Sequence, residues 1–147
     1  MNQLGKILLV EDDSRDVELT LMALEKYKLS NKIVVTRDGV EALDYLYKRG
    51  KFENTSNDLP VVILLDLKMP RMNGIEVIRT LKSDERMRII PIVVLTSSQE
   101  DLDLKECYRL GVNAYVVKPV RFSEFVEAVE NIGVFWALLN ELPKVDS

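Results

Sequence analysis

Five apolar residues in succession, Val61 to Leu65, run without alternation into the carboxylate of Asp66. That pattern belongs to a strand buried on both faces of a parallel sheet, with helices covering each side. A carboxylate inside such a core would be costly, so Asp66 is expected at the strand's carboxyl end, where open α/β sheets present their ligand crevices. Met69, Pro70 and Asn73-Gly74 then break the strand and restart the chain as a helix, leaving Asp66 at the lip of a loop. An Asp standing alone in this place reads as a strand-end residue bonding loop amides. Other residues along the chain change that reading.

The remaining segments repeat the arrangement. Lys6 to Val10 is a short apolar strand followed at once by Glu11, Asp12 and Asp13, then a helix from about Ser14 with Val17, Leu21 and Leu24 as its stripe. Ile33 to Thr36 reads as a second strand, and Asp38-Gly39 starts a helix with Ala42, Leu43 and Leu46 inward. Arg49 to Pro60 is polar and longer than most connections, hence a surface loop. After the central strand, Ile75, Ile78 and Leu81 give a helix stripe, Pro91 marks a turn, and Ile92 to Leu95 is a strand ending at Thr96. Ser97-Ser98 opens an acidic helix through Leu110, with Gly111 as its terminating residue. Ala114 to Val117 is a fifth strand ending at Lys118-Pro119, and a long last helix runs from about Ser123. Five strands alternating with five helices predict an α/β fold, a doubly wound five-stranded parallel sheet of flavodoxin-like type.

Composition narrows the function. The chain has no histidine, so it can carry no Ser-His-Asp triad, no histidine metal site and no phosphohistidine of its own. Its 147 residues are the size of one domain with its own core. A net charge of -4 with no basic block argues against a nucleic-acid surface. The lone Cys107 excludes an intrachain disulfide and reads as a helix packing residue. No apolar run approaches the roughly 20 residues of a membrane helix, and Met1 to Lys6 leads directly into a strand. A cytoplasmic protein is expected.

The predicted topology brings the strand ends together. Glu11 with Asp12, Asp66, Thr96 and Lys118 each lie at the carboxyl end of a predicted strand, hence at one edge of the sheet. Three carboxylates in one crevice repel, and the usual remedies are a raised pKa or a bound divalent cation. All-oxygen ligands favour Mg²⁺, which takes one or two carboxylates and completes its shell with water and phosphate oxygens. Asp13 reads as a helix-start residue.

From LLVEDD through DLKMPRMNG and VVLTSS to YVVKP, the chain resembles a response-regulator receiver domain, the phosphate-accepting half of two-component signalling. The resemblance spans essentially the whole length. It implies that Asp66 is the phosphoacceptor, Asp12 a direct Mg²⁺ ligand, Glu11 its partner acid acting through water, and Lys68 a ligand through its backbone carbonyl. Thr96 would supply the hydroxyl that follows the phosphoryl group and Lys118 the ammonium that pairs with it. A cis bond is implied before Pro119. Tyr115 would report the signal by swinging inward as Thr96 is drawn to the phosphoryl group. Such a domain promotes its own Mg²⁺-dependent phosphorylation and dephosphorylation, and the phosphohistidine arrives on a sensor histidine kinase.

The last segment adds a partner. Phe125, Val129, Ile132, Trp136 and Leu139 form one apolar stripe, which leaves Val134, Phe135, Leu138 and Leu142 over. Apolar residues around most of a helix imply a second covered face, so a homodimer through Phe135, Trp136, Leu138 and Leu142, on a helix of about 123–142, is expected. The alternative is a tail folded back on its own domain. The ending NIGVFWALLNELP and the long loop before the central strand resemble the single-domain regulators that partner cyanobacterial and bacterial phytochromes, which implies a phytochrome kinase as donor. A haloacid-dehalogenase-like phosphatase would need a second Asp where Lys68 stands. A flavodoxin-like nucleotide binder would not place Glu11-Asp12-Asp13 against a phosphate. A receiver-shaped interaction module that is never phosphorylated is the remaining alternative.

Overall fold

The computed structural model describes residues 5–25, 32–55, 58–97 and 102–131. Strands β1 (Ile7–Val10), β2 (Ile33–Thr36), β3 (Val62–Asp66), β4 (Ile92–Thr96) and β5 (Ala114–Val117) alternate with helices α1 (Ser14–Glu25), α2 (Gly39–Tyr47), α3 (Gly74–Lys82), α4 (Leu102–Arg109) and α5 (Phe122–Asn131). The strands form one sheet in the order β2-β1-β3-β4-β5, and all four pairings are parallel. The order reverses between β1 and β3, which is where a doubly wound sheet opens its crevice.

Every residue of β1, β3 and β4 is buried. Their side chains divide by the two-residue period of a strand into two cores. Leu8, Val10, Ile63, Leu65, Ile92 and Val94 pack with α2, α3 and α4. Ile7, Leu9, Val62, Leu64, Val93 and Leu95 pack with Val17 and Leu24 of α1 and Phe125 and Ala128 of α5. Burial of such aliphatic side chains stabilises by roughly 1.5–3 kcal/mol each, so the unalternating runs hold both helix layers at once.

The helices depart from the predicted stripes in detail. In α3 the inward residues are Val77, Ile78 and Leu81, and Ile75 is only half-buried. In α1 Thr20 is buried while Leu21 is half-buried. The polar connection after α2 contains a 3₁₀ turn, Gly50–Phe52, whose Phe52 ring meets Tyr45 edge-on at 5.2 Å. Between α3 and β4, Met87 and Ile90 are buried, an anchor the turn at Pro91 did not announce. Cys107 is buried in α4, as expected of a packing residue. The described part of α4 starts at Leu102, and the predicted opening at Ser98 lies outside the described residues. Ile132, Leu139 and the dimer-face residues Phe135, Trp136, Leu138 and Leu142 also lie outside them. No helix among the described residues is long and apolar enough to cross a membrane.

Candidate functional site

Strand parity decides which residues meet. Glu11, Asp66 and Lys118 continue the alternation of Leu9, Leu64 and Val116, all in the core under α1 and α5. Thr96 continues that of Val94, in the core under α4. The strand ends are level: Asp66 pairs with Leu95 and Thr96 with Val117, and the Lys118 amide donates to the Thr96 carbonyl at 2.8 Å. The Lys118-Pro119 peptide is cis.

The ammonium of Lys118 lies among carboxylates, with Nζ 2.9 Å from Glu11 Oε1, 2.9 Å from Asp16 Oδ2 and 3.3 Å from Asp66 Oδ2. Glu11 is fully buried and Asp66 nearly so. Burial pushes the Glu11 carboxyl up to about 7, with the Asp66 charge adding to the rise and Lys118 opposing it. Burial by itself would lower the Lys118 ammonium, but Glu11, Asp16 and the charge of Asp66 outweigh that and hold it above the usual lysine range.

Carboxylate oxygens of Glu11, Asp12 and Asp66 lie within 4.8 Å of one another. Glu11 Oε1 is in ion-pair contact with Lys118, yet no directed hydrogen bond reaches this buried oxygen. One ammonium therefore leaves the cluster with excess negative charge and an unsatisfied acceptor. The all-oxygen donor set fits a hard divalent cation. Asp12 is exposed and, with Lys68, Met69 and Pro70, lines an open depression of about 500 Å³. The Lys68 amide reaches Asp66 Oδ1 at 3.4 Å. Asp66, Lys68, Thr96 and Ser97 line a second cleft of about 20 Å³, little more than the space of one water.

The loop after Asp66 is fixed from three directions. Asn73 caps α3 by accepting from the Glu76 amide at 3.0 Å, and the Glu76 side chain accepts from the Asn73 amide at 3.0 Å. Arg71, at φ 65°, reaches Asp38 with Nε at 2.9 Å and Nη2 at 3.0 Å, tying the loop to the residue that caps α2. A Cβ on Gly74 would stand 2.6 Å from the Asp66 carbonyl oxygen and 2.8 Å from Leu67 Cα, both backbone atoms that cannot turn aside. Gly74→Ala is therefore expected to destabilise by about 1–3 kcal/mol, read from the urea midpoint; an unchanged midpoint would show that the loop can yield.

Asp13 sits outside the group of three acids. Its Oδ1 accepts from the Arg15 and Asp16 amides at 2.8 and 3.0 Å, which makes it the cap of α1, as expected. Tyr115 is half-buried on the sheet face shared with Thr96, and its ring meets Tyr108 edge-on at 6.2 Å. Two participants went unseen in the sequence, Asp16 and the Arg71-Asp38 clamp. An acid in the first turn of a helix ordinarily complements the helix dipole, so nothing local set Asp16 apart.

Residues 7–130 match the family model described as the response regulator receiver domain. The chain belongs to the response regulator receiver family. It is a phosphoacceptor response regulator of two-component signalling. Among curated relatives, this receiver is 41% identical to the probable methanogenesis regulatory protein FilR2 of Methanothrix harundinacea over 93% of its own length and 86% of that protein's. Among solved structures, it is 57% identical to the bacteriophytochrome response regulator AtBRR, with a TM-score of 0.86 over 95% of this chain and 99% of that one. The Mn²⁺-bound form of the response regulator Rcp1 is 34% identical, with a TM-score of 0.73 over 95% of this chain and 99% of that one. Rcp1 itself comes from Synechocystis.

Proposed function

We propose that Asp66 accepts the phosphoryl group, with Mg²⁺ held by Asp12, Asp66 and the Lys68 backbone carbonyl and with Glu11 engaged through water. The observation that carries this reading is the meeting of three carboxylates within 4.8 Å beside an ammonium 3.3 Å from Asp66. An Asp66 oxygen forms the new bond to phosphorus as the donor's bond to phosphorus breaks, and the leaving group departs on the far side. Bound Mg²⁺ would neutralise charge on the transferring oxygens. Lys118 holds its ammonium at the same place, and Thr96, across the small cleft, offers a hydroxyl to the phosphoryl oxygens. The chemistry needs little proton transfer, which suits a site without histidine.

The donor is the phosphohistidine of a cytoplasmic sensor histidine kinase of phytochrome type, a reading supported by the likeness to a bacteriophytochrome response regulator. Output runs through Tyr115, which shares a sheet face with Thr96 one residue pair along, since Val94 pairs with Tyr115 and Thr96 with Val117. A groove of about 390 Å³ opens there between Tyr108, Tyr115, Glu124 and Ala128.

Acetyl phosphate with and without Mg²⁺ tests the site, read as intact mass. A single adduct that requires Mg²⁺ is expected; no adduct under either condition would favour a receiver that signals without phosphorylation. The apolar segment around Phe135, Trp136, Leu138 and Leu142 is proposed to join two copies. Phe135 and Trp136 changed together to Ser are expected to convert dimers to monomers by sedimentation velocity, and identical sedimentation of both forms would remove this segment from the interface.

A further inference from the structure

Three carboxylates contact the reaction's ammonium, and one of them, Asp16, stands apart from the acidic cluster. Lys118 Nζ donates a hydrogen bond to Asp16 Oδ2 at 2.9 Å. Its equally short contact with Glu11 Oε1 is an ion pair that leaves that oxygen without a directed hydrogen bond, and Asp66 lies farther off at 3.3 Å. Asp16 is outside the group of acids close enough to share a cation. It projects from the first turn of α1, with a side chain 30% exposed against 16% for Lys118 and none for Glu11. The ammonium is thus drawn toward the rim of the crevice by a carboxylate that neither a cation nor a phosphoryl group on Asp66 would engage.

Building on the phosphoacceptor reading above, we propose that Asp16 is a positioning residue: it holds the Lys118 ammonium off the Asp66 nucleophile and off the cation position. Without it, the ammonium, already 2.9 Å from Glu11, closes the 3.3 Å separation from Asp66. There it occupies the carboxylate oxygens that attack phosphorus or face the cation, and it repels Mg²⁺ directly. When a phosphoryl group arrives, Asp16 keeps Lys118 within reach without letting it block the approach.

The test compares Asp16→Asn with Glu18→Gln, an exposed acid two residues on in the same helix, so that both variants lose one negative charge. Mg²⁺ affinity is read from the Mg²⁺-induced rise in melting temperature without any phosphodonor, and adduct formation is timed with acetyl phosphate. Asp16→Asn is expected to weaken Mg²⁺ binding and slow adduct formation by about three- to tenfold each, within the lower part of the range of coupling between contacting charged groups. Glu18→Gln should change neither. In a Lys118→Met background, Asp16→Asn should have no further effect beyond that of Glu18→Gln.

Equal behaviour of Asp16→Asn and Glu18→Gln would overturn the proposal, as would an Asp16→Asn effect that survives intact in the Lys118→Met background. If Asp16→Asn fails to fold, Asp16→Glu, which keeps the charge but displaces it by one methylene, is compared with the equally charge-conserving Glu18→Asp, and equal behaviour of those two would likewise overturn the proposal. Wild-type protein that binds Mg²⁺ but forms no adduct would count against the phosphoacceptor reading alone, because the Mg²⁺ titration still reports on Asp16.

Discussion

Asp66→Asn is expected to yield a folded protein that takes up no phosphoryl group from acetyl phosphate at any Mg²⁺ concentration. The substitution keeps the shape of the side chain and replaces the proposed attacking carboxylate with an amide that is no nucleophile. The fold should tolerate it, since the change removes one of three mutually repelling charges within 4.8 Å. Against that relief stands the loss of a single ion-pair contact at 3.3 Å with Lys118, whose ammonium keeps Glu11 and Asp16. The melting temperature without Mg²⁺ should therefore equal or exceed that of the wild type. Intact mass and thermal melting, run side by side, check both halves. An adduct of full stoichiometry on the variant would place the acceptor elsewhere, and a collapsed melting curve would make the missing adduct uninformative.

Lys118→Met should separate binding of the cation from transfer of the phosphoryl group. If Mg²⁺ binds as proposed, the ammonium would compete with it for Glu11 and Asp66, so its removal is expected to leave Mg²⁺ affinity unchanged or tighter. Transfer should nevertheless slow by roughly 10²-fold, the usual consequence of deleting one preorganised group that stabilises charge on transferring oxygens. Met retains much of the aliphatic stem, which limits the packing loss. The same Mg²⁺ melting series and adduct time course measure the two effects. Weaker Mg²⁺ binding together with slower transfer would mean that Lys118 organises the crevice as a whole instead of acting on the phosphoryl oxygens.

Much of this architecture was legible locally. The runs ILLVE, VVILLD and IVVLT each combine apolar residues with a polar terminator, and such segments are specified by their own composition and by the need to cover two faces. The same reasoning located Asp38, Asn73 and Asp13 at helix starts, because a cap acts within one turn of its own residue. Less legible were the helix stripes. Ile75 and Val77 are both apolar, and only the rotation of α3 against the sheet makes Val77 the buried one. Met87 and Ile90 anchor a turn whose sequence is otherwise charged, so periodicity had nothing to detect there.

Local pattern along the chain specified the order of the strands, the polar residue ending each, and so the set Glu11, Asp12, Asp66, Thr96 and Lys118 at one edge of a parallel sheet. These follow from short-range rules and one topological regularity. Tertiary structure alone decided how the set is wired. Lys118 meets Asp16, 102 residues away in the chain, because the register of β5 on β4 and the seating of α1 over Leu9 and Leu64 bring a helix side chain over a strand end. Gly74 is obligatory only because the Asp66 carbonyl oxygen passes 2.6 Å from where its Cβ would stand. Contacts of that kind depend on shifts of an ångström between packed elements, whereas the pattern of a segment records only which side of it must be dry.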